Sequence, residues 1–124
     1  MDFMDGEVVN ITIKTRTAYI ENGRYTTSAE ATEKQIKAII VSGFGLSSDK
    51  TFVEYVPMFS GHVPPEKRNA TLIQLEESAF SDGLTVECGL IATISKDSVT
   101  RLGKTLADEN LQKIRTSIKD YLNG

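Results

Sequence analysis

The sequence predicts a mainly β (α+β) domain, a small barrel-like sheet of about five to seven strands finished by one C-terminal amphipathic helix. Three observations carry that prediction. Val9, Ile11 and Ile13 alternate with Asn10, Thr12 and Lys14, the period-2 signature of a half-buried strand. Ala38-Ile39-Ile40-Val41 is a continuous apolar run ended by Ser42-Gly43, which suits a strand buried on both faces. After Ala107 the period changes, and Leu111, Ile114, Ile118, Tyr121 and Leu122 trace one face of a helix.

In chain order, the first strand covers residues 7–15. Residues 16–27 hold Tyr19, Ile20 and Tyr25 around Asn22-Gly23, and Asn-Gly is the favoured centre of a tight type I′ hairpin because both positions need positive φ. Residues 28–34 are polar and read as surface loop, followed by the strand at 38–41. A glycine-rich turn at 43–50 leads into a strand over 51–58, with Phe52, Val53, Tyr55 and Val56. Gly61, Pro64 and Pro65 make 59–67 a loop. Strands follow at 69–75 and 84–94, the second behind a Ser81-Asp82-Gly83 turn. In the helix, Asp108 and Glu109 complement the macrodipole, Leu106 is placed to staple onto Leu111, and Asn123-Gly124 is a stop signal. No repeat, low-complexity tract or linker interrupts the 124 residues, which therefore read as a single domain, 1–124.

Composition narrows the function classes. A hydrophobic fraction of 40% and a charged fraction of 25% are ordinary for a globular chain. One cysteine, Cys88, excludes an internal disulfide and points to a reducing compartment. No apolar run approaches the ~20 residues of a membrane span, and the acidic start lacks the features of a signal peptide. These features place the chain in the cytoplasm with no membrane partner. A net charge of −3 does not advertise nucleic acid, yet cations gather locally at Lys14, Arg16 and Arg24 and again at His62, Lys67 and Arg68. Phosphate-binding loops and dinucleotide fingerprints are absent, Gly43-Phe44-Gly45 reads as a turn, and one histidine with one cysteine builds no ordinary zinc site. The expectation is no metal and no cofactor, with Cys88 a buried, inert thiol.

The order of elements is more informative. A strand opening Gly-Glu-Val-Val-Asn-Ile-Thr-Ile precedes Lys-Ala-Ile-Ile-Val-Ser at 37–42, Val-Pro-Met-Phe-Ser at 56–60 and Ser-Asp-Gly-Leu at 81–84. The chain then reads Ile-Ala-Thr-Ile-Ser-Lys-Asp-Ser-Val at 91–99 and Arg-Leu-Gly-Lys-Thr-Leu-Ala-Asp-Glu-Asn-Leu at 101–111. This run resembles the MazF/PemK/Kid family of toxin-antitoxin growth inhibitors over nearly the whole chain, most strongly from Ile91 to Leu111. The resemblance implies an SH3-like barrel with an added helix, a homodimer, and a metal-independent endoribonuclease that cleaves single-stranded mRNA and is silenced by an antitoxin. The same fold carries gyrase poisons of the CcdB type, so a catalytically degenerate binding or regulatory module is the alternative. The family's catalytic arginine precedes its Ala-Val-Val-Val-Ser strand; here Gln35-Ile36-Lys37 stands there, with Lys37 the available cation. Ser60 is the hydroxyl matching the family's threonine or serine, and the arginine of the family's Ile-Arg-Thr-Ile is Ala92.

RNA cleavage needs a base for the 2′-hydroxyl, a cation for the phosphate and a proton for the leaving 5′-oxygen. His62 has the side chain suited to proton transfer near neutral pH, joining Lys37 and Ser60 as catalytic candidates. Arg16 and Arg24 on the early hairpin, with Lys67 and Arg68 in the central loop, are the candidates for tracking an RNA backbone.

Overall fold

In the computed structural model, residues 2–28, 30–46 and 49–123 are described. The alternation of residues 7–15 produces β1 (Glu7–Thr15), with Val8 on one face and Val9 and Ile11 on the other, all fully buried. A ribbon of β2 (Ala18–Glu21) and β3 (Arg24–Thr27) follows, turned at Asn22 and Gly23 with φ of 52° and 76°. Asn-Gly thus makes the expected tight hairpin. Its register sets Tyr19 opposite Thr26 and Ile20 opposite Tyr25, so the two tyrosines do not face each other.

The central strand is longer than its apolar run. β4 (Thr32–Val41) begins in a segment whose polar sequence reads as loop, because Thr32 to Gln35 pair with Thr15 to Thr12 in an exposed two-stranded arm. Thr32 to Gln35 are all exposed, so these residues need no apolar pattern to form a ladder. Beyond it, Ala38 to Val41 are buried on both faces as expected.

β5 (Phe52–Ser60) also outruns its predicted end, and Phe59 and Ser60 pair with Thr85 and Leu84 instead of opening the loop. β6 (Leu72–Glu77) and β7 (Phe80–Glu87) form a hairpin turned at residues 78–79, not at Ser81-Asp82-Gly83. That triplet is a bulge. The register slips between Leu75 and Glu77, and Gly83 takes φ 72° within the strand. The strand predicted over 84–94 is broken by a 3₁₀ turn at Cys88–Leu90, after which β8 (Ala92–Ser95) pairs with Phe52 to Tyr55 while β7 pairs with Met58 to Ser60. Cys88 therefore sits in a buried turn and not in mid-strand. A second 3₁₀ turn, Lys96–Ser98, leads to β9 (Val99–Thr105), which pairs with β1. The predicted turn at 43–50, loop at 28–34 and stop at Asn123-Gly124 each fall partly outside the described residues.

Among the described residues the ladders run β6-β7-β5-β4-β1-β9 with β8 beside β5, all antiparallel. One face gathers Val9, Ile11, Ala38, Ile40 and Tyr55, with Val53, Ile94 and Val99 packed around them. These residues come from β1, β4, β5, β8 and β9, so the sheet buries this face by rolling onto itself and not by adding a layer. Rolling stops short of a closed barrel, since no ladder joins β8 to β9 among the described residues.

The opposite face holds Val8, Ile39, Val41, Val56 and Met58 and is covered by α1 (Asp108–Asn123) through Ile114 and Ile118. Full burial of each such aliphatic side chain contributes roughly 1.5–3 kcal/mol. Leu106 joins the same cluster, while the predicted apolar positions Tyr121 and Leu122 remain about half exposed. Glu77 fixes the start of the helix, where its carboxylate accepts from the Ala107 N–H at 3.2 Å and from the Asn110 amide at 2.6 Å. Arg115 clamps the middle, donating to Asp5 at 2.9 Å and to the Ser42 carbonyl at 2.8 Å.

Candidate active site

The alternation that fills the helix-covered face also builds the hollow next to it. Lys37 lies two residues before Ile39 on β4, and Ser60 two residues after Met58 on β5, so both continue the row of core side chains past its apolar end. On β9, Lys104 pairs with Val8 and shares its face, because the bulge between Val8 and Val9 takes up Leu102 and Gly103. Lys37, Ser60 and Lys104 line one hollow of ≈ 230 Å³, together with the β7 bulge at Ser81, Asp82 and Gly83. Lys104 extends over the Phe80 ring, its Nζ 4.8 Å from the centroid.

His62 stands beside this hollow, on the first turn beyond β5. Gly61 donates to the Gly83 carbonyl at 2.9 Å, and Thr85 donates to the Gly61 carbonyl at 2.8 Å, so the loop is pinned to β7. A side chain at position 83 would meet His62 Nε2 at 2.3 Å; glycine there lets the imidazole lie against the bulge. Glu76 on β6 holds Nε2 at 3.2 Å. The constellation thus offers two ammonium groups, hydroxyls and a carboxylate-held imidazole at one rim, with Asp82 the carboxylate among the lining residues.

The remaining candidates lie elsewhere. Arg16 donates to the Ser28 carbonyl at 2.9 Å at the base of the ribbon, and Arg24 sits on β3. The arm of β1 and β4 carries that ribbon away from the hollow. From Lys37 to Thr32 is five residues, roughly 17 Å at strand rise. Lys67 lies in a 3₁₀ turn, Pro65–Lys67, and Arg68 bends back to the Val63 carbonyl at 3.1 Å. None of these four cations is among the residues lining the hollow. Lys104, by contrast, is absent from the sequence-derived set. Its only signal is a cation two residues before the buried Leu106 in Gly103-Lys104-Thr105-Leu106.

A larger hollow of ≈ 340 Å³ occupies the opposite end of β4 and β5, between Ser42, Phe52, Glu54 and Lys96. The Lys96 ammonium holds the Asp2 carboxyl below the ordinary carboxylate range at its edge. None of the predicted site residues lines it. Ala92, where the resemblance has an arginine, packs half-buried against the rolled face of the sheet.

No family model and no curated protein matches the chain. Among solved structures, the fold is that of an endoribonuclease in complex with its cognate antitoxin from mycobacterial species, at TM-score 0.62 and 17% identity. The match covers 98% of this chain and 96% of that one. The likeness read in the order of sequence elements therefore extends to the whole fold of a toxin-antitoxin endoribonuclease. Among the described residues no helix is long and apolar enough to cross a membrane.

Proposed function

We propose that this protein is a MazF-like toxin, a homodimeric, metal-independent endoribonuclease that acts on single-stranded mRNA in the cytoplasm and is silenced by a cognate antitoxin. One observation carries the reading: Lys37 and Ser60, on different strands, converge on one hollow in a fold shared over 98% of the chain with an endoribonuclease in complex with its cognate antitoxin. In the reaction, the 2′-oxygen loses its proton and attacks the adjacent phosphorus, and the bond to the 5′-oxygen breaks, leaving a 2′,3′-cyclic phosphate and a 5′-hydroxyl. Lys37 neutralises the charge gathering on the phosphate, Ser60 donates to a non-bridging oxygen, and His62 carries the proton to or from the reacting oxygens. Arg16, Arg24, Lys67 and Arg68 serve as outlying contacts along the strand.

The test is incubation of purified protein with a long unstructured RNA in EDTA. Cleavage leaving 5′-hydroxyl ends is expected, with Lys37→Ala lowering kcat/KM roughly 10²–10³-fold. An intact RNA after exposure to micromolar folded protein overturns the reading. A catalytically degenerate binding module is favoured by one observation: both cations of the hollow are lysines, which lack the forked donor geometry of a guanidinium. Expression that is harmless, and equally so in Lys37→Ala and Ser60→Ala, selects that second function.

A further inference from the structure

We propose that Lys104 is a phosphate-binding residue of this hollow, forming with Lys37 a two-lysine clamp on one phosphodiester of the bound strand. The inference rests on the single-stranded-RNA reading above and adds to it a residue that neither the resemblance nor the sequence spacing marks. Three observations support it. Lys104 and Lys37 stand on the same face of the sheet, on the two strands that flank β1, and line the same ≈ 230 Å³ of space. That space is open to solvent and has room for a phosphodiester group between the two ammonium-bearing side chains. The Lys104 ammonium itself lies over the Phe80 ring, 4.8 Å from its centroid, so it is held in place before any ligand arrives. Two point charges, approaching from β4 and from β9, supply between them the paired donation that a single guanidinium gives alone. Asp82 on the rim opposes them and limits the hollow to a net charge of one positive unit, which lets a phosphate enter and leave.

The experiment uses a 2′-O-methyl single-stranded oligonucleotide, which binds without being cut, and fluorescence anisotropy over a range of salt. Lys104→Met keeps a long unbranched side chain and removes the charge, along with the ammonium's contact on Phe80. It is expected to weaken binding about 10-fold whatever the base sequence, and to lower the slope of log K against log salt by about one. Lys104→Arg restores both quantities, and Asp82→Asn tightens binding. Lys119→Met, a charge removed from the outer side of α1, leaves affinity and slope as in the wild type. Equal affinity and equal slope for Lys104→Met and wild type overturn the clamp, as does a wild-type protein that ignores the oligonucleotide even at low salt. A wild-type protein that binds with the predicted slope change yet never cuts RNA supports the clamp and removes the nuclease reading alone.

Discussion

Two stretches of one sheet face, two residues apart, have opposite characters. Under α1, Ile39, Val56 and Met58 pack against Ile114 and Ile118 and exclude water. One step further along the same strands, the side chains become Lys37 and Ser60, open to solvent. The backbone is continuous through both stretches, so rigidity is supplied by the covered part and chemistry by the uncovered part. The ribbon of β2 and β3 forms a separate two-stranded sheet and, among the described residues, is mostly exposed. Tyr25 is 85% and Ile20 68% exposed there, and an isolated two-stranded hairpin is at best marginally stable in water.

The contrast predicts how substitutions divide. Ile114→Ala, in the covered stretch, should destabilise the fold by roughly 2–5 kcal/mol in denaturant titration. Next comes the buried thiol. Burial pushes Cys88 from an ordinary 9.0 up to about 11, with Ser117 opposing and Glu87 adding to the shift. Between those two values the unfolded chain sheds a proton that the folded chain keeps, so stability is whole below pH 9 and falls as the pH rises. The loss reaches about 2–3 kcal/mol, and Cys88→Ala should flatten that window in pH-dependent unfolding. Gly83→Ala, at the boundary, forces an L-residue to φ 72° and pushes His62 off Glu76. It should cost about 1–2 kcal/mol and slow cleavage as well. The smallest effect belongs to the open stretch, where Lys37→Ala should shift stability within about 0.5 kcal/mol while abolishing most cleavage. A Lys37→Ala protein that unfolds as readily as Ile114→Ala erases the division.

The fold was legible wherever burial imposes a pattern. Residues 7–15, 38–41 and 108–122 carry periods that follow from one or two buried faces, and the structure places elements there. Residues 32–35 were not legible as strand, because an exposed ladder asks nothing of its side chains. Ser81-Asp82-Gly83 signals positive φ, which turns and bulges share, so the sequence alone does not choose between them. The largely apolar stretch 84–94 hides the corner at Cys88–Leu90, since residues before it are buried and those after it half-buried, with no polar run to mark the break. For the site, Lys37 and Ser60 were reachable through the order of motifs. Lys104 was not, because its position depends on a bulge that shifts β9 by two residues against β1.

The pairing of β1 with β9 also governs how the molecule is made. Val9 and Arg101, neighbours in the ladder, are 92 positions apart (101 − 9) in the chain. On a translating ribosome, β1 thus waits with one edge bare until residues 99–105 have emerged. The rolled sheet and the helix-covered core form only afterwards, in a topology whose distant pairings favour millisecond-to-second folding. A product truncated before β9 lacks Lys104, has no α1 over Ile39 and Val56, and presents an open strand to proteases and to its neighbours. Completeness of synthesis is built into the sheet order as a condition for any competent molecule.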